Sequence, residues 1–219
     1  MLSQRLKTIL GFLSQGVVLA DIGTDHAYLT IEAVQQGICK RAFACDLHSG
    51  PLKIAEKNIQ VAGLSKKIET RLGDGLSIIK PGEVDCIVIA GMGGMRIWNI
   101  ILEGIEQAQM AKLILQPQHD IVNLRKNLHS IGFEILDEAL VRENDHFYVI
   151  ISAKYTGNTH IWSEREYFLG KHIIEKGGDD FSAFVQNERE KINKYILQIN
   201  DEKALTNAKN RLKWLTNMV

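Results

Sequence analysis

A loop of glycine and polar residues follows the first apolar run of the chain, Val17 to Ile22. Gly23 permits a tight turn that brings the backbone close to a ligand, and Thr24 or Asp25 can cap the helix that follows. A bound pyrophosphate requires several glycines here, whereas a ligand with an amino-acid moiety can use polar side chains. The loop therefore favours S-adenosylmethionine over a nicotinamide dinucleotide. A capped turn without a ligand has the same pattern.

Two carboxylates follow the next apolar runs. Asp46 closes the second run, where nucleotide-binding sheets place an acidic group on the ribose hydroxyls. Asp74 lies between two glycines after the third run, and its carboxylate would reach the exocyclic amine of an adenine. The alternatives are a helix N-cap for Asp46 and an ordinary turn for Asp74.

The fourth run ends in Ala90-Gly91-Met92-Gly93-Gly94, at the centre of the predicted sheet. Ligands of open α/β sheets bind at this edge, and glycines allow close backbone approach. Met92 would form an apolar wall against a flat base. The alternative is a flexible turn into the next helix.

Parallel strands joined by helices are predicted by the order of these segments. Predicted strands cover Val17 to Ile22, Arg41 to Cys45, Ile68 to Leu72, Val84 to Ala90 and Ala111 to Gln116, and predicted helices lie near 26–36, 49–62, 94–108 and 120–130. Two further runs, Glu134 to Arg142 and His146 to Lys154, are separated so briefly that they must form an antiparallel hairpin. A mostly parallel Rossmann-like sheet with a terminal antiparallel hairpin favours a class I methyltransferase fold over a dehydrogenase fold.

A polar link at 155–159 predicts two domains, a methyltransferase domain over residues 1–155 and a helical domain over 156–219. One amphipathic helix is predicted over 162–176, followed by a glycine break and a long helical segment. The apolar residues of that segment recur at near-heptad spacing, as in a helical hairpin or coiled coil: Ile192, Ile196, Ile199, Leu205, Ala208, Leu212 and Leu215. A cap that only stabilises the sheet has the same pattern.

Composition limits the possible functions. The 26 basic and 26 acidic residues cancel, so no overall charge argues for a nucleic-acid partner. Cys39, Cys45 and Cys86 lie singly in apolar segments and predict buried, reduced thiols, and the histidines lack metal-ligand spacing. We therefore expect no metal, no membrane association, no obligate protein partner and a cytoplasmic location.

The segments DIGTDHAYL, ACDLHSGPL, GDGL, AGMGG, LQPQ and RENDHFY occur in this order, and together they resemble the bacterial tRNA (adenine-22-N1)-methyltransferase family. The resemblance covers residues 2–155 and extends loosely into the tail. Thr30 stands where the family usually has proline. The resemblance implies S-adenosylmethionine as cofactor and transfer of its methyl group to N1 of an adenine in the tRNA D-arm. The expected cofactor contacts are Asp21, Gly23, Thr24, Asp25, His26, Asp46, Leu47, Asp74, Gly75, Ala90, Gly91 and Met92.

Because N1 of adenine has a free lone pair, methyl transfer needs no general base and depends mainly on positioning. The candidates for holding the base and stabilising its new charge are Met92, Gly93, Gly94, Glu143, Asn144 and Tyr148. Glu143 and Asn144 belong to the hairpin link, which an ordinary turn also explains. The candidate RNA contacts are Arg5, Lys7, Lys203, Lys209, Arg211 and Lys213, and a solvated helix face explains the tail cations equally well.

Other functions fit the same residues. A methyltransferase acting on a protein or small molecule agrees with the neutral charge. A non-catalytic S-adenosylmethionine-binding module would use the tail to hold a partner. A nicotinamide-dependent oxidoreductase is disfavoured by the single-glycine loop and the hairpin.

Overall fold

A seven-stranded mixed sheet with the strand order β3-β2-β1-β4-β5-β7-β6 forms the centre of the protein. The computed structural model describes residues 2–198 and 200–216. The strands are β1 (Val17–Ile22), β2 (Cys39–Asp46), β3 (Ile68–Leu72), β4 (Cys86–Met92), β5 (Lys112–Pro117), β6 (Phe133–Glu143) and β7 (His146–Tyr155). The first five are parallel, and β7 runs antiparallel to both β5 and β6. The predicted fold class is confirmed.

Ten helices are described along the chain: α1 (Gln4–Gly11), α2 (Tyr28–Gln35), α3 (Ser49–Val61), α4 (Gly94–Glu103), α5 (Ile105–Met110), α6 (Ile121–Ser130), α7 (Glu164–Leu169), α8 (Lys171–Lys176), α9 (Asp179–Ile196) and α10 (Glu202–Thr216). The central strands are apolar on both faces because helices cover both sides of a parallel sheet.

Two predicted helices are each broken at a glycine. The segment 94–108 forms α4 and α5, separated at Gly104, where a Cβ would overlap Leu76 Cβ. The segment 162–176 forms α7 and α8, separated at Gly170, which has a φ of 92°. Periodicity alone does not reveal either break, because the apolar residues on both sides keep helical spacing.

The hairpin between β6 and β7 closes through two residues. Asn144 and Asp145 both have left-handed backbones, with φ of 49° and 61°. This is the conformation that a two-residue hairpin turn requires, and asparagine and aspartate adopt it readily. Strand β6 reaches one residue further into the link than predicted and ends at Glu143, whereas β7 begins at His146 as predicted.

A buried ion pair fastens the tail to the sheet. Arg125 of α6 donates from Nε to Glu138 of β6 at 2.7 Å, and both side chains are at most 1% exposed. Arg125 also donates to the backbone carbonyl of Tyr167, at the end of α7. Gly170 leaves the space in which these groups meet, because a Cβ there would lie 2.6 Å from Arg125 Nη2. The tail therefore starts from a fixed point on the sheet.

The last two helices pack side by side as a hairpin. The predicted heptad residues Ile192, Ala208 and Leu215 are buried, while Ile196 and Leu212 are half-buried. Ile199, which belongs to the same series, lies outside the described residues.

The regular sheet ends at Tyr155, and the division of the chain into two domains at that point remains a prediction.

Three free cysteines, Cys39, Cys45 and Cys86, are buried in the core, as predicted. Burial raises the pKa of the Cys39 thiol to about 11, and burial above all raises the pKa values of the Cys45 and Cys86 thiols to about 12. Within residues 2–198 and 200–216, no helix combines the length and apolarity needed to cross a membrane.

Candidate functional site: a cleft at the strand ends

The carboxyl ends of β1 and β4 lie side by side at the centre of the sheet. Strand order reverses here, because the chain proceeds from β1 outward to β2 and β3 and then returns to β4. Ligands of open α/β sheets bind at such a reversal. The polar loops after β1, β2 and β4 are therefore brought together at one edge of the sheet.

A cavity of about 440 Å³ lies on the β2 side of this edge, and we call it the Asp46 cavity. Its lining includes Asp46, Leu47, Asp74, Gly75, Met92 and Arg96. The Asp46 side chain is 14% exposed, and its Oδ1 accepts a hydrogen bond from the His48 backbone N–H at 2.7 Å. Among the described residues, Asp46 Oδ2 has no hydrogen-bond partner. Asp46 is not the helix cap considered above, because His48 occupies the N-cap position of α3.

A second cavity of about 300 Å³ lies on the other side of the β1 loop, and we call it the Arg5 cavity. Its lining includes Arg5, Asp21, Gly23, Asp25, Ala90 and Gly91. Asp21 is 7% exposed, and its Oδ2 accepts a hydrogen bond from the Thr24 hydroxyl at 2.7 Å. Burial is the main reason that the pKa of Asp21 is raised to about 6. The cavity therefore contains a desolvated carboxylate suited to a cationic ligand group.

Gly23 lines both cavities and joins them into one cleft, the strand-end cleft. Its φ is 76°, and a Cβ at this position would overlap the terminal methyl group of Met92. Glycine is therefore favoured by the backbone conformation, and any Cβ here would also displace the end of the Met92 side chain. An elongated ligand that passes from one cavity to the other must pass over Gly23 and beside Met92.

Gln116 connects the first helix to the β4 loop. This side chain is fully buried at the end of β5, and its Oε1 accepts hydrogen bonds from Arg5 Nη1 at 2.7 Å and from the Gly91 N–H at 3.1 Å. The Arg5 guanidinium also lies 5.4 Å from the ring centre of Tyr148. Helix α1 thus supplies a fixed positive charge to the wall of the strand-end cleft.

A larger groove of about 880 Å³ separates the sheet from the tail helices, and we call it the tail groove. Its lining combines aromatic and polar side chains, including Phe147, Tyr148, Phe184, His119, Lys191 and Arg211. Gln118 lines both the tail groove and the Arg5 cavity, so the two spaces meet at the strand ends.

This geometry agrees with comparisons to known proteins. A methyltransferase domain matches residues 2–151. The crystal structure of the tRNA methyltransferase TrmK of Bacillus subtilis superposes on this chain with a TM-score of 0.89. The two sequences are 30% identical, and the match covers 100% of this chain and 98% of that chain. This chain belongs to the bacterial tRNA (adenine-22-N1)-methyltransferase family.

Two further comparisons agree with this assignment. The Bacillus subtilis (strain 168) protein named tRNA (adenine(22)-N(1))-methyltransferase is 38% identical over 154 residues, which make up 70% of this chain and 65% of that relative. The TrmK structure from M. capricolum, solved in complex with S-adenosyl-homocysteine, has a TM-score of 0.82 at 30% identity and is covered over 97% of its length.

The structure gathers most of the predicted cofactor contacts around the strand-end cleft. Those that line it are Asp21, Gly23, Asp25, Asp46, Leu47, Asp74, Gly75, Ala90, Gly91 and Met92. Thr24 lies behind the cleft and bonds Asp21 instead of capping α2, whose N-cap residue is Ala27. The predicted cap is therefore wrong for both Thr24 and Asp25. His26 places its Nε2 2.9 Å from Asp25 and lines neither cavity.

The predicted base-holding residues are more dispersed. Gly93 and Gly94 begin α4 next to the β5 loop, and the Gly94 N–H donates to the His119 carbonyl at 2.9 Å. Tyr148 lines the tail groove. Glu143 Oε1 instead accepts the Gln4 N–H at 3.0 Å, so it holds the start of α1. Asn144 forms the hairpin turn and is exposed.

The predicted RNA contacts fall into separate groups. Arg5 lies in the strand-end cleft, whereas Lys7 is exposed on α1. All four tail cations, Lys203, Lys209, Arg211 and Lys213, are exposed on α10. Arg211 lies over the Phe168 ring at 4.8 Å and lines the tail groove. Lys209 and Lys213, four residues apart, share one helix face.

Sequence reasoning missed Gln116 and His119, which the fold places beside the cleft and the groove. A signal for Gln116 was present, because a glutamine at the end of an otherwise apolar strand must satisfy its amide. His119 lies at a strand end, where α/β enzymes place functional residues. Among the described residues, no group of three or more His, Cys, Asp and Glu side chains is arranged to hold a metal ion.

Proposed function

We propose that this protein transfers a methyl group from S-adenosylmethionine to N1 of adenine 22 in the D-arm of tRNA. The observation that carries the proposal is the pair of carboxylates, Asp46 and Asp21, in two cavities that meet at Gly23. A ligand that fits this arrangement has hydroxyl donors at one end and a cationic group at the other. S-adenosylmethionine has an adenosine moiety, which carries the ribose diol, at one end and an amino-acid moiety, which carries the ammonium group, at the other.

The residues of the cleft fit this ligand group by group. Asp46 has a free carboxylate oxygen for ribose hydroxyls, and Asp74 offers a second carboxylate in the same cavity, 59% exposed, for the adenine amine. Asp21 has no cationic side chain as partner in the described part of the chain and suits the ligand's ammonium group. Arg5, in the same cavity as Asp21, suits the ligand's carboxylate.

When bound, S-adenosylmethionine supplies an electrophilic methyl carbon, which passes to a nitrogen lone pair while the bonding electrons stay on sulfur. No proton leaves adenine N1 in this transfer, so the chain requires no general base at that atom. Its contribution is to hold the two reacting groups in line. Gly23 lines both cavities, Met92 lines the Asp46 cavity against it, and the Gly91 backbone, fixed by Gln116, lines the Arg5 cavity.

The acceptor must enter from the side that the cleft leaves open. The tail groove meets the strand-end cleft at Gln118, and its aromatic side chains offer stacking surfaces for an unpaired base. An adenine inside folded tRNA has to leave its stack to reach such a site. The exposed lysines of α10 then face the surrounding phosphates.

The proposal is tested by incubating the protein with labelled S-adenosylmethionine and unmodified tRNA, then digesting the tRNA to nucleosides. We expect labelled N1-methyladenosine, and none from the same tRNA with guanosine at position 22. Asp46→Asn serves as a protein control that weakens donor binding without changing the side-chain volume. Label in another nucleoside, or no transfer despite donor binding, would overturn the assignment.

A further inference from the structure

His119 and Asp120 form a hydrogen-bonded pair directly after β5. His119 Nδ1 lies 2.7 Å from Asp120 Oδ2, and the two side chains are 68% and 41% exposed. A carboxylate only accepts hydrogen bonds, so Nδ1 must carry the proton. In the neutral imidazole this leaves Nε2 as an acceptor. Among the described residues, nothing hydrogen-bonds to Nε2.

The backbone around this pair is fixed to the β4 loop. The Gln118 N–H donates to the Met92 carbonyl at 2.9 Å, and the Gly94 N–H donates to the His119 carbonyl at 2.9 Å. Asp120 has a left-handed backbone with a φ of 56°, a conformation that aspartate adopts more readily than most residues other than glycine. The position of His119 is therefore tied to the loop that contains Met92.

Gly93 makes room for the imidazole. A Cβ at this position would lie 2.5 Å from His119 Cε1 and 2.7 Å from Nε2, so any other residue would displace the ring edge that contains the acceptor nitrogen. His119 also lines the tail groove. The acceptor nitrogen is thus held where the groove meets the loop beside the strand-end cleft.

We propose that His119 recognises the acceptor base, with Nε2 accepting a hydrogen bond from the 6-amino group of adenine and Asp120 fixing the imidazole tautomer. The inference rests on the proposed function. The 6-amino group is adjacent to N1, so an acceptor on this side identifies adenine while leaving N1 free. Guanine has a carbonyl oxygen at this place, which cannot donate to Nε2, and a proton on N1, which leaves no free lone pair there for the methyl group.

The same contact favours methyl transfer. When N1 gains the methyl group, the base becomes cationic and its amino group becomes a stronger donor. The hydrogen bond to Nε2 therefore strengthens as the charge develops, and the Asp120 carboxylate stabilises that charge through the imidazole. An interaction that is stronger in the transition state than in the ground state raises the rate of the step.

The test removes the two partners of the hydrogen bond separately and together. Single-turnover methylation is measured with tRNA containing adenosine or purine riboside, which lacks the 6-amino group, at position 22. Wild type and His119→Ala are compared. For each protein, the rate with adenosine is divided by the rate with purine riboside. The lower nucleophilicity of purine affects both proteins equally and cancels when the wild-type ratio is divided by the variant ratio. The quotient therefore measures the contact between His119 and the 6-amino group. We expect wild type to favour adenosine about tenfold more strongly than the variant does.

Two further variants keep the comparison interpretable. His146→Ala removes an exposed histidine from the same groove and should leave the wild-type preference unchanged. Asp120→Asn keeps His119 but weakens its fixed tautomer, so the preference should fall between those of wild type and His119→Ala. Circular dichroism and S-adenosylmethionine affinity should match wild type in all variants, because none of these side chains lines the two donor cavities.

The outcomes separate this inference from the proposed function. If wild type does not methylate adenosine-containing tRNA, the proposed function fails and this inference fails with it. If wild type does methylate it and His119→Ala keeps the full preference for adenosine, only the role of His119 is overturned. A wild-type preference for purine would contradict an acceptor at Nε2 and would also overturn it. Should His119→Ala show no measurable turnover, an unchanged preference in Asp120→Asn would count against the inference.

Discussion

Asp21→Asn should stabilise the ligand-free protein while weakening its binding of S-adenosylmethionine. Burial is the largest cause that raises the pKa of Asp21 from 3.8 to about 6. Each unit corresponds to about 1.4 kcal/mol, so at neutral pH the ionised group destabilises the folded chain by up to about 3 kcal/mol. Asparagine keeps an acceptor for the Thr24 hydroxyl and removes the charge. The melting temperature should therefore rise by about 2–4 °C for each kcal/mol recovered.

The raised pKa of Asp21 also predicts how stability and donor binding change with pH. A carboxyl group with a raised pKa binds protons more readily in the folded chain than in the unfolded chain. Its unfavourable contribution is therefore absent below about pH 4 and complete above about pH 6. In wild type this group lowers stability as the pH rises through that window, and in Asp21→Asn this contribution disappears. Donor affinity should change oppositely, decreasing in wild type as the pH falls below about 6.

Two measurements between pH 4 and pH 8 test these effects. Thermal unfolding followed by circular dichroism measures the stability, and calorimetric titration with S-adenosylmethionine measures the donor affinity. Asp25→Asn is the matched control, because it removes the same charge from the same loop at a side chain that is 83% exposed. We expect that control to leave the stability nearly unchanged. An Asp21→Asn protein that is less stable than wild type at pH 7.5, or that binds the donor as tightly, would refute the reasoning.

Three further perturbations test other parts of the structure. Gly23→Ala should weaken donor binding in calorimetry, since a backbone φ of 76° strains any residue with a Cβ and the added methyl group would displace the end of the Met92 side chain; unchanged affinity would contradict this account of the cleft. Glu138→Gln should lower the free energy of unfolding by about 3 kcal/mol in urea titrations, because it leaves the Arg125 cation buried without its partner; a loss below 1 kcal/mol would contradict it. Joint replacement of Lys209 and Lys213 by alanine should weaken tRNA binding and reduce its logarithmic salt slope by about 1–2, as measured by filter binding; an unchanged slope would show that these lysines contact no phosphate.

The sequence was sufficient to predict the sheet and the strand-end loops because these depend on local patterns. Apolar runs of strand length alternate with amphipathic segments, and the brief link at 143–145 forces an antiparallel hairpin. Carboxyl ends of parallel strands meet at one edge of the sheet, so the strand pattern predicts that Asp46 and Gly23 lie close together.

The remaining features depend on contacts between distant parts of the chain. The break at Gly170 results from Arg125 and Glu138, which meet there from α6 and β6. Arg5 is predicted as an RNA contact on a leading helix that would cover the cofactor pocket, and its bond to Gln116, which is 111 residues away, has no counterpart in that prediction. Pair contacts of this kind leave no periodic signal in the sequence.

The depth of the three thiols has a practical consequence. Thiol-reactive labels attack the thiolate, and the pKa values of about 11 for Cys39 and about 12 for Cys45 and Cys86 keep these groups protonated in neutral buffer. A cysteine introduced at an exposed position such as Glu202 would then take up a fluorophore selectively. Fluorescence of that label would then report whether the tail moves when tRNA is added, in a protein that keeps all its native cysteines.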